Sequence, residues 1–172
     1  MFHTLTLSPS LDYLVFAKEF MPDALNRADS ARLFAGGKGI NVAVMLRRLG
    51  QPARALGFLA GDTGRMLRGM LAAEGLSEEF LPLKEGATRI NLKLKTPAHE
   101  TELSAPSPRP DAAEIAALER QLAAIPPGDT LIAGGSLPPG LVLDAYARLL
   151  APCAARGVRC VLDASGPALA AG

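Results

Sequence analysis

Ala35-Gly36-Gly37-Lys38-Gly39-Ile40-Asn41-Val42-Ala43 is the stretch on which the fold turns. Glycines placed before an apolar run let the backbone turn tightly and let a ligand come close, and the helix that follows offers unpaired N–H donors at its start. That run, Ile40 to Leu49, is hydrophobic on most sides and Gly50 stands just past it, so a largely buried helix is expected. Arg47 and Arg48 in the last turn suit the negative end of the helix dipole. The spacing is neither GxxxxGK[ST] nor GxGxxG. On these residues alone the glycines have two readings, a tight turn or a seat for a polar or anionic ligand.

Outward from this point the chain alternates short β-rich runs with helical ones, the pattern of a parallel sheet flanked by helices. Leu5 to Leu7 continue a first strand, and Ala53 to Leu59 form another. Gly61-Asp62-Thr63-Gly64 then opens a helix through Glu74, closed by Gly75. Asp111 with Glu114 has the form of a capping box, and Ile115, Leu118, Leu122 and Ile125 recur at helical spacing up to Pro126. Thr130 to Ala133 read as a buried strand, Leu143, Tyr146, Leu150 and Cys153 as one face of a helix, and Val158 to Asp163 as a further strand. Two regions break the alternation: residues 12–20 with 27–34, and 89–95 with 100–104, read as strand pairs without intervening helices. Arg89, Asn91, Lys93 and Lys95 share one face of their strand by strict alternation.

The 172 residues are 49% hydrophobic, enough for a buried core. Eighteen Lys and Arg against seventeen Asp and Glu leave a formal charge of +1, which gives no global field toward nucleic acid or an anionic membrane. Any anion recognition must be local. No signal-peptide pattern and no membrane-span pattern is present, and a cytoplasmic protein is expected. Cys153 and Cys160 lack CxxC spacing, and His3 and His99 lie far from them, so no zinc site or disulfide framework is expected.

Three further places can carry chemistry. Gly134-Gly135-Ser136-Leu137-Pro138-Pro139-Gly140 follows a buried strand, where open α/β sheets gather ligands, though such a loop also serves simply as a rigid connection. Asp12, just past the first strand, is either a turn residue or an acceptor for sugar hydroxyls. Arg89 and Lys93 on one strand face either meet a phosphate or form a solvated polar edge.

Taken together these segments resemble the PfkB, or ribokinase-like, family of carbohydrate kinases. The resemblance lies in Ala35 to Ala43, in Ser8-Pro9-Ser10-Leu11-Asp12, in Gly135 to Gly140 and in Leu162-Asp163-Ala164-Ser165-Gly166, in order along essentially the whole chain. Leu25-Asn26-Arg27, Thr88 to Lys93 and Glu100 to Pro106 look most like the branch of 1-phosphofructokinases and tagatose-6-phosphate kinases, tilted toward fructose 1-phosphate. Ser104 and Ser107 depart from the Asn and Gly of that pattern. The resemblance implies an α/β ribokinase-like fold, a mainly parallel sheet flanked by helices, with lid strands inserted near 12–34 and 88–105. It implies substrate contacts from Asp12, Gly36, Gly37, Lys38, Asn41, Arg89, Lys93 and Ser136.

The activity implied is transfer of the ATP γ-phosphoryl group to fructose 1-phosphate, with Mg²⁺. The family's base is an aspartate in a Gly-Ala-Gly-Asp motif that these 172 residues do not contain. The chain is therefore expected to be an amino-terminal part, inactive by itself, with the base and most of the ATP site beyond Gly172. The expected partners are a phosphorylated ketohexose and a second copy through the lid strands, with no nucleic acid and no membrane. Kinases of other sugars and a non-catalytic sugar-phosphate-binding module are the alternatives.

Overall fold

The computed structural model describes residues 1–172. In chain order the elements are β1 (Phe2–Thr6), β2 (Ser10–Phe16), β3 (Ser30–Gly36), α1 (Lys38–Arg48), β4 (Ala53–Ala60), α2 (Gly61–Ala73) and β5 (Ser77–Leu83). Then follow β6 (Arg89–Lys95), β7 (Glu100–Ser104), α3 (Ala112–Ala123), β8 (Thr130–Gly134), α4 (Ala145–Ala155), β9 (Arg159–Asp163) and α5 (Gly166–Ala170). Sheet A has five parallel strands in the order β5-β4-β1-β8-β9. Sheet B has four, in the order β3-β2-β6-β7. None of the helices is long and apolar enough to cross a membrane.

Strand β4 shows how sheet A is buried on both faces. Successive side chains alternate sides, so Ala55 and Leu59 join Ile40 and Ala43 of α1 and Leu67 and Leu71 of α2 in one core. Leu56, Phe58 and Ala60 point the other way, into a core with Leu118 and Leu122 of α3 and Tyr146 and Leu150 of α4. A strand covered on both sides reads as a near-continuous apolar run, as this one does.

The capping box forms as the spacing predicts: Asp111 accepts from the Glu114 N–H, and Glu114 returns a bond to the Asp111 N–H, both at 2.7 Å. α4 opens at Ala145, so Leu143 lies before the helix, 56% exposed, and is not part of its buried face.

Sheet B departs from expectation in its strand bounds. Its first two strands run over 10–16 and 30–36 rather than 12–20 and 27–34, because a turn at Pro22-Asp23, with Asp23 at φ 59°, and the Asn26 amide bonded to Met21 take up the chain between them. The two strand pairs form one small sheet, as expected, through a parallel β2–β6 seam that places Asp12 opposite Asn91. One strand has no counterpart in the sequence reading: β5, whose Glu78, Glu79 and Pro82 mask its pattern. As an edge strand it tolerates both charge and proline, and its glutamates pair with Arg68 and Arg54.

The end of β1 and the start of α1 are joined through a side chain. Thr6 Oγ1, fully buried, accepts from the Ile40 N–H at 3.1 Å, while the residue before α1, Gly37, offers no side-chain cap. Replacing Thr6 by Val keeps the shape and strands that N–H without a partner, which should destabilise the fold by about 1–3 kcal/mol. Thr6→Ser, which retains the oxygen, should lose clearly less. Equal urea-unfolding midpoints for the two variants would show that the bond contributes nothing.

Candidate functional site

Sheet B springs from the carboxyl end of β1, and β3 returns directly into α1, so the base of sheet B and the first turn of α1 are neighbours by connectivity. Register then sorts the side chains into rows. Asp12 of β2, Asn91 of β6 and Ser104 of β7 lie opposite one another across three strands, with Ser10 opposite Arg89 in the row before and Leu14 opposite Lys93 in the row after. Residues in register share a face. The polar ones therefore meet on one side of the sheet.

Asp12 is the centre of that face. Its Oδ1 accepts from Ser10 Oγ at 2.7 Å and Asn91 Nδ2 at 3.2 Å, and its Oδ2 pairs with Lys93 Nζ at 3.0 Å. Partial burial works to raise its pKa, but the hydrogen bonds from Ser10, Lys93 and Asn91 outweigh it and hold the carboxyl below the ordinary value. The same bond holds the Lys93 ammonium above its ordinary value. Gly36 lies so close that a Cβ there would stand 2.5 Å from Asp12 Oδ1, so only glycine fits beside this carboxylate.

Arg89 occupies the other end of the face. Nη1 donates to Ser104 Oγ at 3.1 Å, and Nη2 donates to the Ser8 carbonyl at 3.3 Å and toward Ser136 Oγ at 3.4 Å. Its Nε is buried and has no partner. A buried guanidinium N–H left free is a donor available to an anion. Ser8 and Ser107 share a short hydroxyl contact that fixes the loop below.

Lys38, at the first position of α1, turns away from this group. Its Nζ pairs with Asp163 at 2.8 Å, at the carboxyl end of β9. Tyr146 is drawn beneath the same corner, its hydroxyl donating to the Gly135 carbonyl, and burial, with the Asp163 charge adding, pushes the phenol up to about 12. Gly37 sits at the N-cap, and the N–H groups of the first helical turn that follow it have no intrahelical partners.

Between sheet B and the α1–α2 layer lies an open cleft of about 630 Å³, lined in part by Asp12, Lys93, Asn41, Val44 and Met70. Of the residues expected from the sequence, Asp12, Asn41 and Lys93 line this cleft, Gly36 backs it, and Arg89 with Ser136 continues its polar network. Lys38 and Gly37 form a separate corner at the strand ends. Ser10, Asn91 and Ser104 were not singled out as site residues. Asn91 carried a signal in the strict alternation from Arg89 to Lys95, whereas Ser104 needed the β6–β7 register.

A family model described as pfkB family carbohydrate kinase matches residues 7–171. A 1-phosphofructokinase of Borreliella burgdorferi is 41% identical over 169 residues, 98% of this chain and 54% of the relative. A D-tagatose-1-phosphate kinase of Bacillus licheniformis is 34% identical over 98% of this chain and 55% of its own length. Among solved structures, phosphofructokinase-2 of Escherichia coli in complex with fructose-6-phosphate superposes with a TM-score of 0.91 at 34% identity, covering 98% of this chain and 56% of that one. The chain thus spans about half the length of the relatives it matches. With motifs, topology and the family match in agreement, the chain belongs to the pfkB family of carbohydrate kinases.

Proposed function

We propose that this chain supplies the sugar side of a phosphosugar kinase that transfers the γ-phosphoryl group of ATP to the C6 hydroxyl of fructose 1-phosphate, giving fructose 1,6-bisphosphate. The observation that carries the proposal is one hydrogen-bonded face with a carboxylate at one end and a guanidinium with a free buried N–H at the other. Asp12 and Asn41 accept and donate to sugar hydroxyls, and Arg89, with Ser136 beside it, takes the phosphate. Lys93 balances Asp12 and adds positive charge near the substrate. Sheet B is the lid, and its closure excludes water from the transfer.

Asp12 is a poor candidate for the base. Its carboxylate is held by three donors and its pKa is depressed, which weakens it as a proton acceptor. The base is assigned outside these 172 residues, and the isolated chain should show no ATP-dependent turnover. Turnover above contaminant controls, measured on the purified chain, would return the base to it.

ATP supplies the phosphoryl group in this proposal. The Lys38 ammonium and the backbone N–H groups of Lys38 and Gly39, the first two residues of α1, have the donor chemistry to meet its phosphates. These residues hold no cluster of three or more acidic, His or Cys side chains, and Mg²⁺ would be carried mainly by the nucleotide's own phosphates. The face of sheet B opposite Asp12 leaves Tyr13 41%, Ile90 46% and Leu103 62% exposed, which supports pairing of two copies through the lid. A cytoplasmic setting goes with this activity.

A second substrate, tagatose 1-phosphate, is favoured by the similarity to the tagatose-1-phosphate kinase. The two sugars differ only in one hydroxyl configuration, so the phosphate anchor serves both.

Asp12→Ala and Arg89→Ala should each weaken fructose 1-phosphate binding, since each removes a charged hydrogen-bond partner worth about 1.5–3 kcal/mol. Calorimetric titration against fructose 1-phosphate, tagatose 1-phosphate and fructose 6-phosphate checks this. Unaltered affinity in both variants would put the sugar elsewhere, and preference for another phosphosugar would reassign the substrate.

The Asp12–Lys93 pair also fixes a pH dependence of stability. The folded pKa of Asp12 lies below its unfolded value, so its contribution is present above about pH 4 and lost as pH falls through the folded pKa. Lys93, raised, contributes fully below about pH 10 and loses its share above. Thermal unfolding of Asp12→Asn should therefore be offset from wild type at neutral pH and converge with it in acid. Curves that stay parallel into acid would mean that the pair contributes no net stability.

A further inference from the structure

We propose that Ser104 and Asn91 are positioning residues that lock Asp12 and Arg89 into one fixed separation, so that the face admits a sugar whose phosphate and hydroxyls match that separation. The proposal rests on the ketohexose-phosphate reading for its ligand and on geometry alone for the locking.

Donor and acceptor capacities decide the direction of every bond in the row. A guanidinium can only donate, so Ser104 Oγ must accept from Arg89 Nη1. The single Ser104 proton is then free for Asn91 Oδ1, 3.2 Å away. With its oxygen so occupied, the Asn91 amide has to turn its Nδ2 toward Asp12 Oδ1, 3.2 Å away on the other side. An ionised carboxylate only accepts, and the row closes there.

The polarity runs one way, from Arg89 through Ser104 and Asn91 to Asp12. Turning the Asn91 amide over would set its oxygen against the carboxylate, two acceptors with no proton between them, and would leave the Ser104 proton without its acceptor. One orientation satisfies all four groups, and neighbouring bonds in such a row polarise one another. Asn91 is 5% exposed. It is too buried to serve a ligand directly and acts through its neighbours.

The register makes the arrangement rigid. Asp12, Asn91 and Ser104 are opposite one another on adjacent strands, and the pitch of the sheet sets their spacing rather than loop flexibility. Ser104 is the last residue of β7, so this short, exposed edge strand has a task beyond covering β6: it delivers the hydroxyl that couples the two charged ends.

The test compares Ser104→Thr, which keeps the hydroxyl, with Ser104→Val, which replaces it by a methyl of similar shape and strand preference. Without ligand, NMR titration of the Asp12 carboxyl in the purified protein should move up toward the ordinary value in Ser104→Val and stay with wild type in Ser104→Thr. With ligand, Ser104→Val should bind fructose 1-phosphate about tenfold more weakly, the size expected for a lost bond to a charged group, and Ser104→Thr should restore the affinity. An Asp12 titration identical in wild type, Thr and Val overturns the locking role whatever the ligand does. A wild type that ignores fructose 1-phosphate while the titration shifts as expected overturns the substrate reading and leaves the locking role established.

Discussion

The hydroxyl of Thr6 at the end of β1 takes the N–H of Ile40, and the backbone of α1 lies so close that a Cβ at Gly39 would stand 2.6 Å from that hydroxyl and 2.8 Å from the Leu5 carbonyl. Helix and strand can touch this closely only with glycine between them. That contact fixes where α1 begins, and the rest of the site follows from it. Gly36 ends β3 two residues before α1 opens, so sheet B is rooted at the same corner, and Lys38, the first residue of α1, faces the carboxyl ends of β8 and β9.

Charged groups are paired with one another both at the cleft, Asp12 with Lys93, and at the strand-end corner, Lys38 with Asp163. Pairing of this kind avoids leaving a partly buried charge such as Asp12 without a counter-ion. The net formal charge of +1 is consistent with recognition that is local. Arg89 stands apart from this pattern: its guanidinium is held by hydroxyls and a carbonyl, with no carboxylate among its hydrogen-bond partners. Its charge is thereby left for an anion.

Much of this architecture could be read from the sequence because the signals are local. The Ala35 to Ala43 run, the Asp111–Glu114 capping box and the apolar strands of sheet A each state their own structure within a few residues. Candidate site residues were legible where residue type alone marks them, as for Asp12 and Arg89. Ser104 and Asn91 acquire meaning only through the β2–β6 and β6–β7 registers, and a parallel seam between strands so far apart in the chain leaves no local trace. β5 was hidden for a different reason: edge position permits Glu78, Glu79 and Pro82, which erase the alternation that would have revealed a strand.

That parallel seam also bears on the order of assembly. Between Phe16 and Arg89 the chain must build β3, α1, β4, α2 and β5, so β2 and β6 can meet only by closing a very long loop, whose entropy is recovered late. The polar face around Asp12 is thus assembled by long-range pairing rather than by local contacts. Local opening that frees β6 and β7 from β2 would dismantle the Asp12–Asn91–Ser104 row while leaving the packing of sheet A against its helices in place.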